Sequence, residues 1–401
     1  LTIPAIPSGV DRPRFRRAFG VMAVLVPAIV YIAVILARYD GQPYLRGDCQ
    51  YYYYTAVSIM VDYDLDLGNQ IPPPLERHSN DLAVDKRGRL VPKHPIWMSL
   101  AALPLILIAG EPGALLFNLI QLLALMLLTF SLARRYASEP AAAAAVMLTG
   151  VASFLPHYSW NFSPDVFVTT LLMAALVALP ADRQPALGRH FGAGLLLGIV
   201  VVSKYSLFLA LPGIPLLSGR PARRTLPTMA VGFAVPVILW AMLNIHFFGS
   251  PLVTSYDRMA TIDEEISRVH SQRSDFDYPL WKGIRNQLLD PKRGLLLTTP
   301  ITLVSFLGLW SLARRDRSIA LYLAGTSVAI FLFFSKYRWW GASHYGSRFL
   351  MPLVIFAAVP LAVMIDSLVG WLKTRRGLED RGVDRVSPDP PPVGEESHEE
   401  T

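Results

Sequence analysis

Long apolar runs separated by short polar segments dominate the chain from Gly20 to Gly370. Each run is roughly 15 to 25 residues, the length of an α-helix that crosses a hydrocarbon core of about 30 Å. Inside such a core only a helix satisfies every backbone donor and acceptor within one run. The pattern predicts spans at 20–37, 114–133, 140–156, 166–180, 191–204, 205–217, 226–247, 294–312, 318–335 and 348–370. The expected fold class is an all-α polytopic membrane protein with about ten transmembrane helices. A further run, 94–110, reads HPIWMSLAALPLILIAG and contains Pro104. It is barely long enough to span, so an interfacial or re-entrant helix is the alternative.

Charge placement decides between the two. With the N-terminus inside and 94–110 interfacial, five basic clusters fall on the side of Arg12 to Arg17: Arg134 and Arg135; Arg183 and Arg189; Arg220, Arg223 and Arg224; Arg314, Arg315 and Arg317; Lys373, Arg375 and Arg376. If the run spanned, all five would face outward, against the tendency of basic loops to stay in the cytoplasm. The run is therefore read as an interfacial helix. The chain then divides into a cytoplasmic segment 1–19, a membrane domain 20–370 and a tail 371–401, whose Pro, Glu and Asp content predicts a disordered cytoplasmic segment. Both termini are expected in the cytoplasm, and four large or polar loops, 38–113, 157–165, 248–293 and 336–347, on the non-cytoplasmic side, periplasmic or extracellular. A bacterial inner membrane suits the short loops and the basic inside clusters.

Composition narrows the function. With 53% hydrophobic and 17% charged residues, the chain has more apolar side chains than a soluble core could hide. The net charge of +7 is scattered among the inside clusters rather than gathered on one face, so no nucleic-acid partner is expected. Cys49 is the sole cysteine, which rules out an intrachain disulfide or a thiolate metal cluster. The first run is longer than a signal-peptide core and lacks a cleavage site, so it is expected to remain as helix one. No Walker A loop, HExxH, GxSxG or Rossmann fingerprint occurs, which argues against nucleotide hydrolysis and soluble protease chemistry.

The outer loops hold the candidate chemistry. Asp48 follows the first span and can act as a general base, or cap the helix that starts there. Asp165 opens a helix after Pro164 on the same side, so the two carboxylates can converge on one acidic or metal site, a divalent cation being the candidate cofactor. Lys93 and His94 begin the interfacial segment, where a lysine pairs with a lipid phosphate or snorkels to the head groups. Lys204 interrupts the apolar stretch 191–217 at its expected outer turn, and a charge there is a functional candidate. Between Tyr337 and Arg348 aromatics and two arginines, Arg338 and Arg348, suit sugar stacking and phosphate contact, or an interfacial aromatic belt. Asp64, Asp66 and Asn69 read as a solvated turn more readily than as a cation site.

In order along the chain stand GDCQYYYY after helix one, PKHP before the interfacial run, LFN at 116–118, SPD at 163–165, SKY at 203–205, FGSPLVTSY and WWGASHYGSRFLMP. This order resembles the GT-C superfamily of polytopic glycosyltransferases, near the protein O-mannosyltransferase, aminoarabinose transferase and RgtA/B/C/D-like group, over Arg12 to about Lys373. The resemblance implies a GT-C-like fold and an inverting transfer of a hexose or pentose from a polyprenyl-phosphate-linked sugar donor to a hydroxyl of a glycan, lipid or protein acceptor. It implies Asp48 as catalytic base, Asp165 as a second functional acid and Lys93 as a phosphate contact. His94, Lys204, Tyr256, Arg338, Trp340, Tyr345 and Arg348 complete the candidate donor contacts. Where the family often has Asp-Glu, this chain has Asp48-Cys49, which removes one carboxylate from any metal site. The rival from another class is a secondary transporter of a polar or lipid-linked solute. It predicts charges inside the spans and internal repeats, whereas most of the spans are free of charges, Lys204 is best placed at a turn, and no internal repeat is obvious.

Overall fold

The helices follow the apolar runs. In the computed structural model, residues 12–38, 45, 47–71, 81–179, 187–217, 222–260, 275–341 and 345–383 are described. The first half contains α1 (Arg12–Arg38), α2 (Asp48–Val61), an antiparallel hairpin of β1 (Leu82–Val84) and β2 (Leu90–Pro92), α3 (Trp97–Ala133), α4 (Glu139–Val151) and α5 (Pro164–Ala178). The second contains α6 (Leu187–Ser203), α7 (Ala222–Phe248), α8 (Leu280–Leu289), α9 (Leu295–Thr298), α10 (Pro300–Ser305), α11 (Leu309–Arg315), α12 (Arg317–Lys336), α13 (Met351–Phe356) and α14 (Ala358–Val383).

Among the described residues, five stretches are long and apolar enough to cross a membrane: Ala18–Arg38, Trp97–Ala133, Arg224–Phe248, Arg317–Lys336 and Arg348–Arg375. Glu139–Val151, Pro164–Ala178, Leu187–Ser203 and Tyr205–Leu216 are shorter apolar helices. The expected regular spans at 205–217 and 294–312 are broken. The first consists of 3₁₀ turns, because Pro212, Gly213 and Pro215 deny it a continuous α-helical ladder; the second splits into α9, α10 and α11 around Pro300 and Gly308. Burial separates the layers. The apolar window of the last helix is 78% buried and that of α7 only 17%, so the former lies at the centre and the latter faces lipid.

The run at 94–110 enters α3, which breaks at Gly110, with φ 60° and ψ −134°. A side chain would be strained in that conformation. The two limbs fold back so closely that a Cβ on Gly113 would lie 2.0 Å from the Leu105 carbonyl oxygen. The limb before the break, from Trp97 to Ala109, is about 20 Å long at 1.5 Å per residue, short of a hydrocarbon core of about 30 Å. At the other extreme of the chain, α14 continues past residue 370 as far as Val383, and residues 1–11 and 384–401 lie outside the described residues.

The bundle has two chemically distinct ends. Asp165 stands in the first turn of α5, while carbonyls near the other end of that helix, Val177 and Leu179, accept from Arg135. Arg315 joins this second end, bound to Asp366 at 2.9 Å, and the Asp366 carboxylate also accepts from the Ser138 N–H. Arg183 and Arg220 lie outside the described residues.

Candidate functional site

The end marked by Asp165 gathers charges from segments far apart in sequence. Asp48 is the first residue of α2, entered from Gly47. Its side chain makes an ion pair at 2.9 Å with Arg348, which opens the 3₁₀ turn Arg348–Leu350 leading into α13. The Arg348 Nε lies 3.8 Å from the second carboxylate, Asp165, and Asp165 also pairs with Lys204, the residue just after α6 that opens the 3₁₀ turn Tyr205–Ala210. Lys204 Nζ stands 4.7 Å from the Phe349 ring centroid and the Arg348 guanidinium 5.0 Å from it, so one aromatic ring supports both cations. Partial burial raises the Asp48 pKa, but the Arg348 guanidinium, with His94 and Lys93 beyond it, holds the carboxyl well below the usual carboxylate range. Asp48 is therefore a resting anion engaged with Arg348, with no side-chain cap on its own helix.

A hairpin delivers the other flank. The pairing of Leu82 with Pro92 sets Asp81, just before β1, opposite Lys93 and His94, just after β2. Asp81 accordingly meets His94 Nε2 at 3.2 Å and Lys93 Nζ at 3.5 Å. The turn between the strands is closed by the buried Asp85 carboxylate, which accepts from the N–H groups of Arg87 and Arg89 and pairs with the Arg89 side chain. Sequence reading missed Asp81, although the Asp-Lys-Arg-Gly stretch between two short apolar runs was a hairpin signal that pointed to it. His94 stacks on Tyr52 with centroids 5.1 Å apart, and the Tyr256 ring lies 5.6 Å from Lys93 Nζ and 6.3 Å from His94. Ser255 Oγ donates to the Lys93 carbonyl at 2.5 Å, tying the segment after α7 to this flank.

Of the sequence-derived candidates, Asp48, Lys93, His94, Asp165, Lys204, Tyr256 and Arg348 thus come together. Arg338 does not join them: its guanidinium is paired with Asp277 and its N–H donates to the Asp275 carbonyl at 2.7 Å. Trp340 is a buried packing residue, and Tyr345 lies against His157 with centroids 5.6 Å apart. Asp64 and Asp66 are turn residues, accepting from the N–H groups of Asp66 and Gly68 respectively. Cys49, beside Asp48, is buried and donates its thiol to Asn161 Oδ1 at 2.6 Å, which locks the start of α2 to the loop before α5. The residues that could hold a cation differ from the expected Asp48 and Asp165 pair. The ligand atoms of Asp48, Asp81 and His94 lie within 4.8 Å of one another, whereas Asp165 is engaged by Lys204. Two carboxylates and an imidazole are a donor set that fits manganese or zinc.

Comparison with known proteins follows the same outline. The family model for dolichyl-phosphate-mannose-protein mannosyltransferase matches residues 93–246, the part running from Lys93 through α7. No curated protein matches the chain. Among solved structures it is similar to ArnT from Cupriavidus metallidurans, both in the apo state and bound to undecaprenyl phosphate. The identities are 17% and 18% with a TM-score of 0.54, over 86% of this chain and 59% of that one. It is also similar to the archaeal oligosaccharyltransferase AglB from Archaeoglobus fulgidus, in complex with an inhibitory peptide and a dolichol-phosphate, at 13% identity and TM-score 0.52 over 92% of this chain and 52% of that one. The chain thus spans only 52% to 59% of the length of these structures. The broken-helix bundle, its hairpin and these similarities together show a polytopic, membrane-type helical fold of the GT-C kind.

Proposed function

We propose that this protein transfers a hexose or pentose from a polyprenyl-phosphate donor to an acceptor hydroxyl, inverting the anomeric centre, on the non-cytoplasmic face of a bacterial inner membrane with both termini in the cytoplasm. One observation carries the reading: Asp48, Asp165, Lys93, His94, Lys204 and Arg348 meet at one end of a membrane-type bundle. A base for the acceptor and cations for a departing phosphate are the two requirements of displacement at an anomeric carbon.

In the proposed step the acceptor oxygen attacks C1 while its proton passes to the Asp48 carboxylate. The bond from C1 to the phosphate oxygen breaks, and its electron pair leaves with the polyprenyl phosphate. Lys93, Lys204 and Arg348 meet the charge that develops there. Arg348 has a double part, since at rest it occupies Asp48; an arriving phosphate competes for the guanidinium and frees the carboxylate to take a proton. Asp165 holds Lys204 and faces Arg348, which keeps both cations in place between turnovers. Tyr256 and His94 flank Lys93 on the donor side, whereas Arg338 and Trp340 have no part in this arrangement. A divalent cation held by Asp48, Asp81 and His94 would supply further positive charge for the phosphate.

The test is release of polyprenyl phosphate by protein reconstituted in liposomes, with a panel of polyprenyl-phosphate hexoses and pentoses and a cell-envelope extract as acceptor. Asp48→Asn should lower release by about 10²- to 10⁴-fold, the usual contribution of a positioned base. Full activity of Asp48→Asn would overturn the base assignment, and no cleavage of any donor by folded protein would overturn the transferase reading.

A further inference from the structure

Around the 3₁₀ turn that precedes α5, three aromatic rings gather that the donor chemistry does not use. His157, in the 3₁₀ turn Leu155–Tyr158, lies 5.6 Å from Tyr345 and 5.2 Å from Trp160 between ring centroids. The guanidinium of Arg38, at the end of α1, sits 5.8 Å over the Trp160 ring. Tyr345 is pinned from behind by Gly346, which has φ +74°, donates its N–H to the Lys292 carbonyl at 2.9 Å and packs so tightly that a Cβ would fall 2.4 Å from Phe154 Cγ. Conformation and space both demand glycine there. The result is a fixed turn that presents a 42% exposed tyrosine ring.

Two details mark this patch as more than an aromatic belt. The Trp160 indole N–H is buried and meets no acceptor among the described residues. Leaving a buried donor unsatisfied is destabilising, and a hydroxyl reaching it would relieve that cost. The patch also borders the cluster through the chain on both sides. Asn161, next to Trp160, accepts from Cys49, the neighbour of Asp48, and Tyr345 stands one turn before Arg348, the partner of Asp48.

We propose that this patch is the acceptor subsite and that the acceptor is a saccharide, its ring face laid on Tyr345 and Trp160 and its hydroxyls meeting the Trp160 N–H and Arg38. The proposal rests on the transferase reading above. The C–H face of a sugar ring carries the partial positive charge that an aromatic face attracts, and its edge supplies the hydroxyls. An extended peptide would call instead for a free strand edge. The two strands among the described residues lie on the Asp81 flank, and β1 is already bridged to Met259.

Saturation-transfer NMR on the full chain in lipid nanodiscs tests this, with mannobiose, N,N′-diacetylchitobiose, lactose and a serine- and threonine-rich decapeptide as probes. At least one disaccharide should show saturable transfer to its ring C–H protons. Tyr345→Ala and Trp160→Ala should each weaken it by about tenfold, the scale of a stacked aromatic contact, while Tyr345→Phe keeps it. Trp310→Ala, at an exposed ring on α11, should change nothing. Absence of saturable binding by every disaccharide, binding that survives both alanine substitutions, or peptide binding dependent on the same residues would each overturn the proposal. Undiminished Asp48-dependent donor cleavage alongside such a result would leave the transferase reading intact. Saccharide binding without donor cleavage would overturn the transferase reading and, with it, the acceptor role of the patch.

Discussion

Removing one partner of the Asp165–Lys204 pair should damage the protein more from the acidic side than from the basic side. The Asp165 side chain is 3% exposed and that of Lys204 18%, so each charge relies on the other rather than on water. Breaking a buried pair from one side costs about 3–5 kcal/mol, because an uncompensated charge stays behind. In Lys204→Met, Asp165 still faces Arg348 at 3.8 Å, an attraction of up to about 4 kcal/mol at an effective dielectric of 20. The loss should therefore fall to about 2 kcal/mol. In Asp165→Asn, Lys204 and Arg348 are left with Asp48, already engaged by Arg348, and the loss should approach about 5 kcal/mol. Asp165→Asn with Lys204→Met removes both charges together and should cost less than the sum by about 2–3 kcal/mol. The assay is thermal unfolding of the four proteins in nanodiscs, with denaturant titration in mixed micelles for the free energies. Midpoints should drop by about 6 °C for Asp165→Asn and by about 2–3 °C for Lys204→Met. Equal losses, or losses that simply add, would refute the reasoning, since either means that the pair is not a desolvated unit leaning on Arg348.

Other consequences can be checked separately. The Asp48 pKa is depressed in the folded protein, so its stabilising contribution is present above the unfolded value and lost only as pH falls through the folded one; protonation of Asp48 should add no acidic limb to the transfer rate above about pH 5. Arg348→Gln removes the main lowering cause and leaves burial, so a rate profile in single turnover should acquire an acidic limb at higher pH; an unchanged profile counts against Arg348 as the controlling partner. Asp81→Asn loosens Lys93 and His94 and should raise the donor KM by about tenfold, the worth of one charge-assisted hydrogen bond, with kcat less affected. Burial, with the neighbouring Asp48 charge, pushes the Cys49 thiol up to about 12, so maleimide at about pH 7.5 should label the denatured protein and spare the native one, as intact mass will reveal.

Much of the architecture was legible because it rests on local physics. An apolar run must satisfy its own backbone in lipid, so α1, the second limb of α3, α7 and α12 were placed to within a few residues. The runs at 205–217 and 294–312 were harder, since proline and glycine break the ladder without shortening the apolar stretch. The short limb of α3 was legible as a problem, but its fold-back depends on one positive φ at Gly110 that apolar periodicity does not encode.

The candidate site divides in the same way. That Asp48, Asp165, Lys204 and Arg348 occupy one end of the bundle follows from counting spans and basic clusters, because each crossing reverses the side and the chain keeps count. Which cation meets which carboxylate does not follow. Arg338 and Arg348 are ten residues apart in one arginine- and aromatic-rich stretch, yet one binds Asp277 and the other Asp48. Asp81 reaches Lys93 and His94 only through the hairpin register, and Tyr345 meets His157 only where Gly346 turns against Phe154. Hydropathy and charge bias act within a run or between neighbouring runs, so they are written along the chain. Ion pairing and ring packing depend on distances of a few ångströms between segments remote in sequence, and those distances exist only once the helices have packed.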